Sequence, residues 1–244
     1  MSKVSVTGLT KKFGDLTVLK NVSFEVNKGE FLCIVGPTGC GKTTFLNLLA
    51  KLIPATNGSI TIDNVEADPK KHNISFVFQE PSSLPWRTVK ENIAYGMQVK
   101  KVPPAEIEAR LAKVINLVGL SDCVNLYPNE ISASMEQRVA IARAFATNPD
   151  LLLMDEPYGQ LDLKLRFYLE DELIRIWTES KNTVIFITHN IEESVYLADR
   201  ILVLSNKPTT VKAEVLVNLP RPRNIVDPEF SRIRNEVTEL IKWW

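Results

Sequence analysis

Apolar residues fall along this chain in two rhythms. Residues 3–8 and 18–26 alternate apolar with polar, carrying Val4 and Val6, then Val18, Leu19, Val22, Phe24 and Val26. That alternation predicts two strands around a turn at Gly14-Asp15. Phe31-Leu32-Cys33-Ile34-Val35 is a continuous apolar run, expected for a buried strand. Further strands are expected at 59–63, after Asn57-Gly58, and at 74–78, 151–154 and 182–188. Between Pro81 and Asn148 the period lengthens to that of helices. One is predicted over 89–97. A second, over 104–118, has Pro104 at its first position, an apolar face of Ile107, Leu111, Val114, Ile115 and Val118, and Gly119 as its stop. A third starts near Ser132 and runs through 137–147. After 205 the prolines Pro208, Pro220, Pro222 and Pro228 predict a loop-rich extension. It ends in a short amphipathic helix with Phe230, Ile233, Val237, Leu240 and Ile241. Trp243-Trp244 either packs back on the domain or meets a membrane surface or partner. The expected organisation is an α/β domain over 1–205, with a helical subdomain at about 82–148 inserted in its core, and an extension over 206–244.

One segment gives these elements a purpose. Gly36-Pro37-Thr38-Gly39-Cys40-Gly41-Lys42-Thr43-Thr44 lies between the apolar strand and a predicted helix over 43–52, and it fits the P-loop pattern. Its glycines let the backbone wrap a polyphosphate at φ values other residues avoid. The helix start points N–H groups and partial positive charge at the phosphates. Lys42 is expected to reach the β/γ-phosphates, and the Thr43 hydroxyl to hold Mg²⁺. Cys40, at a helix start, is expected to have a lowered pKa, so that alkylation would block ATP binding and ATP would protect. The motif alone leaves kinases, GTPases, motors and transporter ATPases open.

The other candidates sit at strand ends. Asp155-Glu156 follows four apolar residues. Such a pair suits a second Mg²⁺ partner and a general base acting on water. Gln79 ends the strand at 74–78, where α/β proteins place ligand groups; a surface glutamine is the plainer reading. His189, one of two histidines, is a ligand group or a hydrogen-bonded structural residue. Phe13 either stacks on a base or packs on the small sheet. Asn206-Lys207-Pro208-Thr209 begins like a guanine reader but lacks the aspartate, which argues against GTP.

Composition excludes several classes. The 244 residues carry a net charge of +0, so no basic field calls for nucleic acid. Three cysteines suggest a reducing compartment without a disulfide framework. Met1-Ser2-Lys3-Val4 opens no secretory signal, and no apolar run approaches the roughly 18 residues of a membrane span.

Lys42, Gln79, Asp155-Glu156 and His189 occur in the order and setting of an ABC transporter ATPase, and Pro128 to Ala144 resembles that family's signature segment. The resemblance covers essentially the whole chain. Phe78-Gln79-Glu80-Pro81, Leu84 to Val89, and Leu219-Pro220-Arg221-Pro222-Arg223 look most like the nitrate/sulfonate/taurine import branch. The fold implied is a P-loop NTPase (RecA-like) α/β core with an antiparallel β subdomain and a helical signature subdomain. The resemblance implies that Phe13 stacks on adenine and that Gly36 to Thr44 cradles ATP. It implies that Gln79 senses Mg²⁺ and the attacking water, and that Asp155 holds Mg²⁺, through water. Glu156 would polarise the nucleophile and His189 would contact the γ-phosphate. Tyr158-Gly159-Gln160-Leu161-Asp162 matches the D-loop. Ser132 would act in trans on the nucleotide of a second ATPase chain. The implied partners are integral-membrane permease subunits and, indirectly, a solute-binding protein, with the chain peripheral at the cytoplasmic face of the plasma membrane.

The signature departs from the family pattern. Ile131-Ser132-Ala133-Ser134-Met135 keeps the serine and lacks both glycines, whose bare backbone lets N–H groups approach the γ-phosphate. Asn190 stands where Asp is usual, Gln160 where Ala is usual, and Lys51 where Gly is usual. A complete P-loop beside an altered signature suits a homodimer impaired at both sites, or a pairing with a different, intact ATPase. A catalytically weak nucleotide-binding subunit is the alternative to an import ATPase.

Overall fold

The computed structural model describes residues 2–242, so Trp243-Trp244 lies outside the described residues. In chain order the elements are β1 (Ser2–Phe13), β2 (Leu16–Asn27), β3 (Phe31–Val35), α1 (Lys42–Leu49), β4 (Asn57–Ile62), β5 (Val65–Glu66), β6 (Ile74–Val77), α2 (Val89–Val99), α3 (Pro104–Leu117), α4 (Ala133–Ala146), β7 (Leu151–Asp155), α5 (Leu163–Ser180), β8 (Thr183–Ile187), α6 (Ile191–Leu197), β9 (Arg200–Leu204), β10 (Val211–Leu216) and α7 (Pro228–Ile241). The chain divides into two compact units: residues up to 74 with those from 181 onward, and residues 75–180.

The first unit holds two sheets. One is antiparallel in the order β2-β1-β4-β5, with Val4 opposite Val26 and Ile62, and Val6 opposite Phe24 and Ile60. All six of these side chains are buried, which is the alternation the sequence predicts. In the other sheet β3 runs parallel to both β8 and β9, and β10 pairs antiparallel with β9. Every residue of β3 and β8 is buried, as continuous apolar runs require when both faces are covered. The segment after 205 is therefore less loop-like than its prolines suggest. It supplies β10, and Arg223 fixes the chain beyond it. That guanidinium donates to the carbonyls of Val195, Tyr196, Ala198 and Val217, the first three around the end of α6. Burial pulls its pKa down to about 10. Phe230, Ile233 and Val237 of α7 are buried, on the amphipathic face expected.

The second unit is mainly helical. Helices α2, α3 and α4 pack on one another, and β6 neighbours β7. A reciprocal Thr88–Glu91 capping box starts α2. Pro104 opens α3, and Gly119, at φ +63, lies just beyond it. Helix α5, which the sequence reading did not resolve, buries only Leu169, Glu170, Leu173 and Trp177 of its 18 residues. A polar exposed face leaves a weak apolar rhythm there.

Candidate functional site

The P-loop joins β3 to α1 in the first unit. Gly39 and Gly41 take φ of +74° and +109°, which the motif's glycines were expected to supply. Gly36 does not. It is needed for space, since a Cβ there would lie 3.1 Å from the Cys40 Sγ and 3.1 Å from the Leu204 carbonyl. Gly41 is the N-cap of α1, and no side chain caps that helix. Its first-turn N–H groups are thus left for a ligand. Lys42 is buried and folds back on its own loop, donating to the carbonyls of Gly36 at 2.9 Å and Pro37 at 3.1 Å. Both are neutral acceptors that a phosphate would outcompete by charge. Thr38, Gly39 and Thr43 are exposed; Pro37 and Thr44 are half-buried.

Cys40 corrects the sequence expectation. Its side chain is buried, and desolvation pushes the thiol above its ordinary value despite the nearby Lys42 charge. The helix-start effect is outweighed by the lost hydration of the thiolate. Its carbonyl accepts from the hydroxyl of Thr209, a contact with no signal in sequence.

Phe13 ends β1 with its ring half-exposed, and Lys11 Nζ sits 4.7 Å from the ring centroid. His189 is exposed directly after β8 and Thr188. Asn190 then caps α6 through its Oδ1, which accepts from the Glu193 N–H at 3.2 Å. Asn caps as well as Asp, so this departure from the family pattern leaves the helix start intact.

The second unit carries Gln79, Ser132, Asp155 and Glu156. Asp155, the last residue of β7, is buried at 2 % exposure. Glu156 follows in a left-handed backbone conformation, φ +45, which a non-glycine residue adopts at a cost. Gln79 Nε2 donates to Glu156 Oε2 at 3.3 Å, so the fold brings these two predicted residues together. Gln137 holds the arrangement and was missed from sequence. Its buried amide donates to the carbonyls of Phe78 at 3.1 Å and Pro157 at 2.9 Å, one residue from each of the pair. Ser132 is exposed at the head of α4, and its Oγ accepts from the Met135 N–H at 3.2 Å. Ala133 and Ser134 form the first helical positions.

Each unit offers hard oxygen donors of the type Mg²⁺ takes together with phosphates: the Thr43 hydroxyl in the first, and the Gln79 amide oxygen and Asp155 carboxylate in the second.

Comparison with known proteins bears on the family. A family model described as ABC transporter matches residues 19–159. An ABC transporter ATP-binding protein of Methanocaldococcus jannaschii, MJ0412, is 40% identical, with 98% of this chain and 91% of that protein aligned. The aliphatic sulfonates import ATP-binding protein SsuB of Bacillus cereus is 39% identical over 97% of this chain and 94% of its own. The nitrate import ATP-binding protein NrtD of Synechocystis is 36% identical over 98% and 95%. Among solved structures, the dimeric bacterial ABC transporter cassette MJ0796 superposes with a TM-score of 0.81 at 32% identity, covering 89% of this chain and 100% of that one. The same cassette is known as a dimer in a post-hydrolysis state bound to ADP and Pi. A family match over more than half the chain, relatives aligned end to end and a shared fold place this chain in the ABC transporter family, as an ATP-binding subunit whose ATP hydrolysis is coupled to transport.

Proposed function

We propose that this chain energises import of a small anionic solute, of the sulfonate or nitrate kind, through separate permease subunits. End-to-end similarity to relatives named for import of those two anions carries the solute class. In this reading Lys42 leaves the Gly36 and Pro37 carbonyls for the β/γ-phosphates, and Phe13 stacks on adenine. Thr43, Gln79 and Asp155 would hold Mg²⁺, which would supply charge to neutralise the phosphates. Glu156 takes the proton of the attacking water, with Gln79 orienting it, and His189 contacts the γ-phosphate. Ser132 serves the nucleotide of a second ATPase chain. Trp86, Tyr95 and Val99 are exposed at and around α2, in the helical block that would meet the permeases. No helix among the described residues is long and apolar enough to cross a membrane, which accords with a peripheral place at the cytoplasmic face.

Ala133 and Ser134 at the start of α4 favour a second reading. There the chain binds nucleotide, turns it over slowly and pairs with a different, intact ATPase. The intact complex, extracted in mild detergent and weighed by native mass spectrometry, separates the two. Two copies with permeases support the first reading, and one copy beside another ATPase supports the second. Absence of any membrane protein would overturn both. Unchanged uptake of sulfonates and nitrate in cells lacking the chain would overturn the solute class.

A further inference from the structure

The Cys40–Gly41 peptide of the P-loop is gripped by a residue from far along the chain. Thr209, between β9 and β10, is fully buried, and its hydroxyl donates to the Cys40 carbonyl. Its own backbone is fixed on both sides to β2. The Thr209 N–H donates to the Val18 carbonyl at 2.9 Å, and the Lys20 N–H donates to the Thr209 carbonyl at 2.9 Å. Val18 and Leu19 of the same strand stand against Gly41, where an added Cβ would lie 2.7 Å and 3.3 Å from their methyl carbons. Thr209, Val18 and Leu19 thus form one wall behind the loop.

The contact decides which way a dipole points. In a trans peptide the carbonyl and the N–H face opposite directions. With the Cys40 carbonyl turned into the wall, the Gly41 N–H is turned away from it. Flipping this peptide changes mainly ψ of Cys40 and φ of Gly41, and glycine tolerates either sign of φ. Sterics at Gly41 therefore do not forbid the flip. A flipped peptide would present a carbonyl oxygen where an anion cradle needs a donor.

We infer that Thr209 is a positioning residue for the nucleotide phosphates, its hydroxyl holding the Cys40–Gly41 peptide with the Gly41 N–H directed to the ligand. The inference rests on the P-loop binding ATP. It also gives Thr209, the last residue of the Asn206-Lys207-Pro208-Thr209 stretch, a role at the phosphate end of the nucleotide.

Full-length Thr209→Val keeps the shape and removes the donor, whereas Thr209→Ser keeps the donor. Titration calorimetry with MgATP should find Kd raised about tenfold in the valine variant and near the unaltered value in the serine variant. KM should rise with Kd while kcat changes little. Should the valine variant not fold, Thr209→Ala gives the same readout. Unchanged MgATP affinity in a folded variant lacking the hydroxyl, with only a lowered melting temperature, would overturn the inference and leave the ATPase assignment standing. Equal weakening in the serine variant would also overturn it. Failure of the unaltered chain to bind MgATP would overturn the inference and the ATP reading together.

Discussion

Helix α1 begins at Gly41, which has no side chain to cap it, while α4 begins at Ser132, whose hydroxyl already accepts from the Met135 N–H. The first start is locally incomplete. Its N–H groups, the buried Lys42 and the left-handed glycines form a cradle that a polyphosphate would complete. The second is locally complete: a capping serine followed by Ala133, the best helix former, where the family pattern has glycine. The P-loop start sacrifices local stability for ligand contacts, and the α4 start does the reverse. Bracing follows the same division. Thr209, Val18 and Leu19 back the P-loop, whereas Ser132 and Ala133 are exposed.

Four variants sharpen or break this contrast, the largest effect first. Glu156→Gln should lower hydrolysis by about 10²–10⁴-fold, the contribution of a positioned general base, with ATP still bound. Phosphate release measured beside nucleotide binding checks it, and retained turnover would remove Glu156 from that role. Gly41→Ala places a Cβ 2.7 Å from Val18 at φ +109. One such strained position costs about 1–3 kcal/mol, so the Kd for ATP should rise about tenfold or more. Affinity near that of the unaltered chain would show that the α1 start does not depend on glycine. Ala133→Gly with Ser134→Gly should raise the ATPase rate several-fold while weakening α4 by about 1 kcal/mol for the alanine change. No gain in rate would sink the idea that the signature is weakened. Lys51→Gly should give the smallest effect. Lys51 sits just past the C-terminal cap of α1 at φ +56, where glycine relieves backbone strain, and its side chain forms an exposed ion pair with Glu66. Strain relief less the added chain entropy leaves a gain of about 0.5 kcal/mol, or about 1–2 °C in melting temperature. A lower melting temperature would mean that the Glu66 pair outweighs the strain.

Much of the fold was legible because its signals are local. Alternation in β1 and β2 and continuous burial in β3 and β8 follow directly from side-chain period. The prolines after 205 misled because a strand at the end of a sheet, as β10 is, tolerates irregular surroundings that a central strand does not. Helix α5 escaped because an exposed, charged face dilutes its apolar period.

The sequence by itself determined the P-loop and its strand–loop–helix setting, since phosphate is cradled by consecutive backbone groups whose conformations nearby glycines set. The capped starts of α2, α4 and α6 are local as well, each formed within a few residues, though only the helices at 89–97 and from near Ser132 were expected. Only the tertiary structure decided the bracing and the chemistry of burial. Thr209 reaches Cys40 across 169 residues of chain, and Gln137 bonds Phe78 across 59. The Cys40 thiol follows its burial rather than its place at a helix start. Contacts between distant segments and the loss of water around a group depend on how the whole chain packs, and no short stretch of sequence records them.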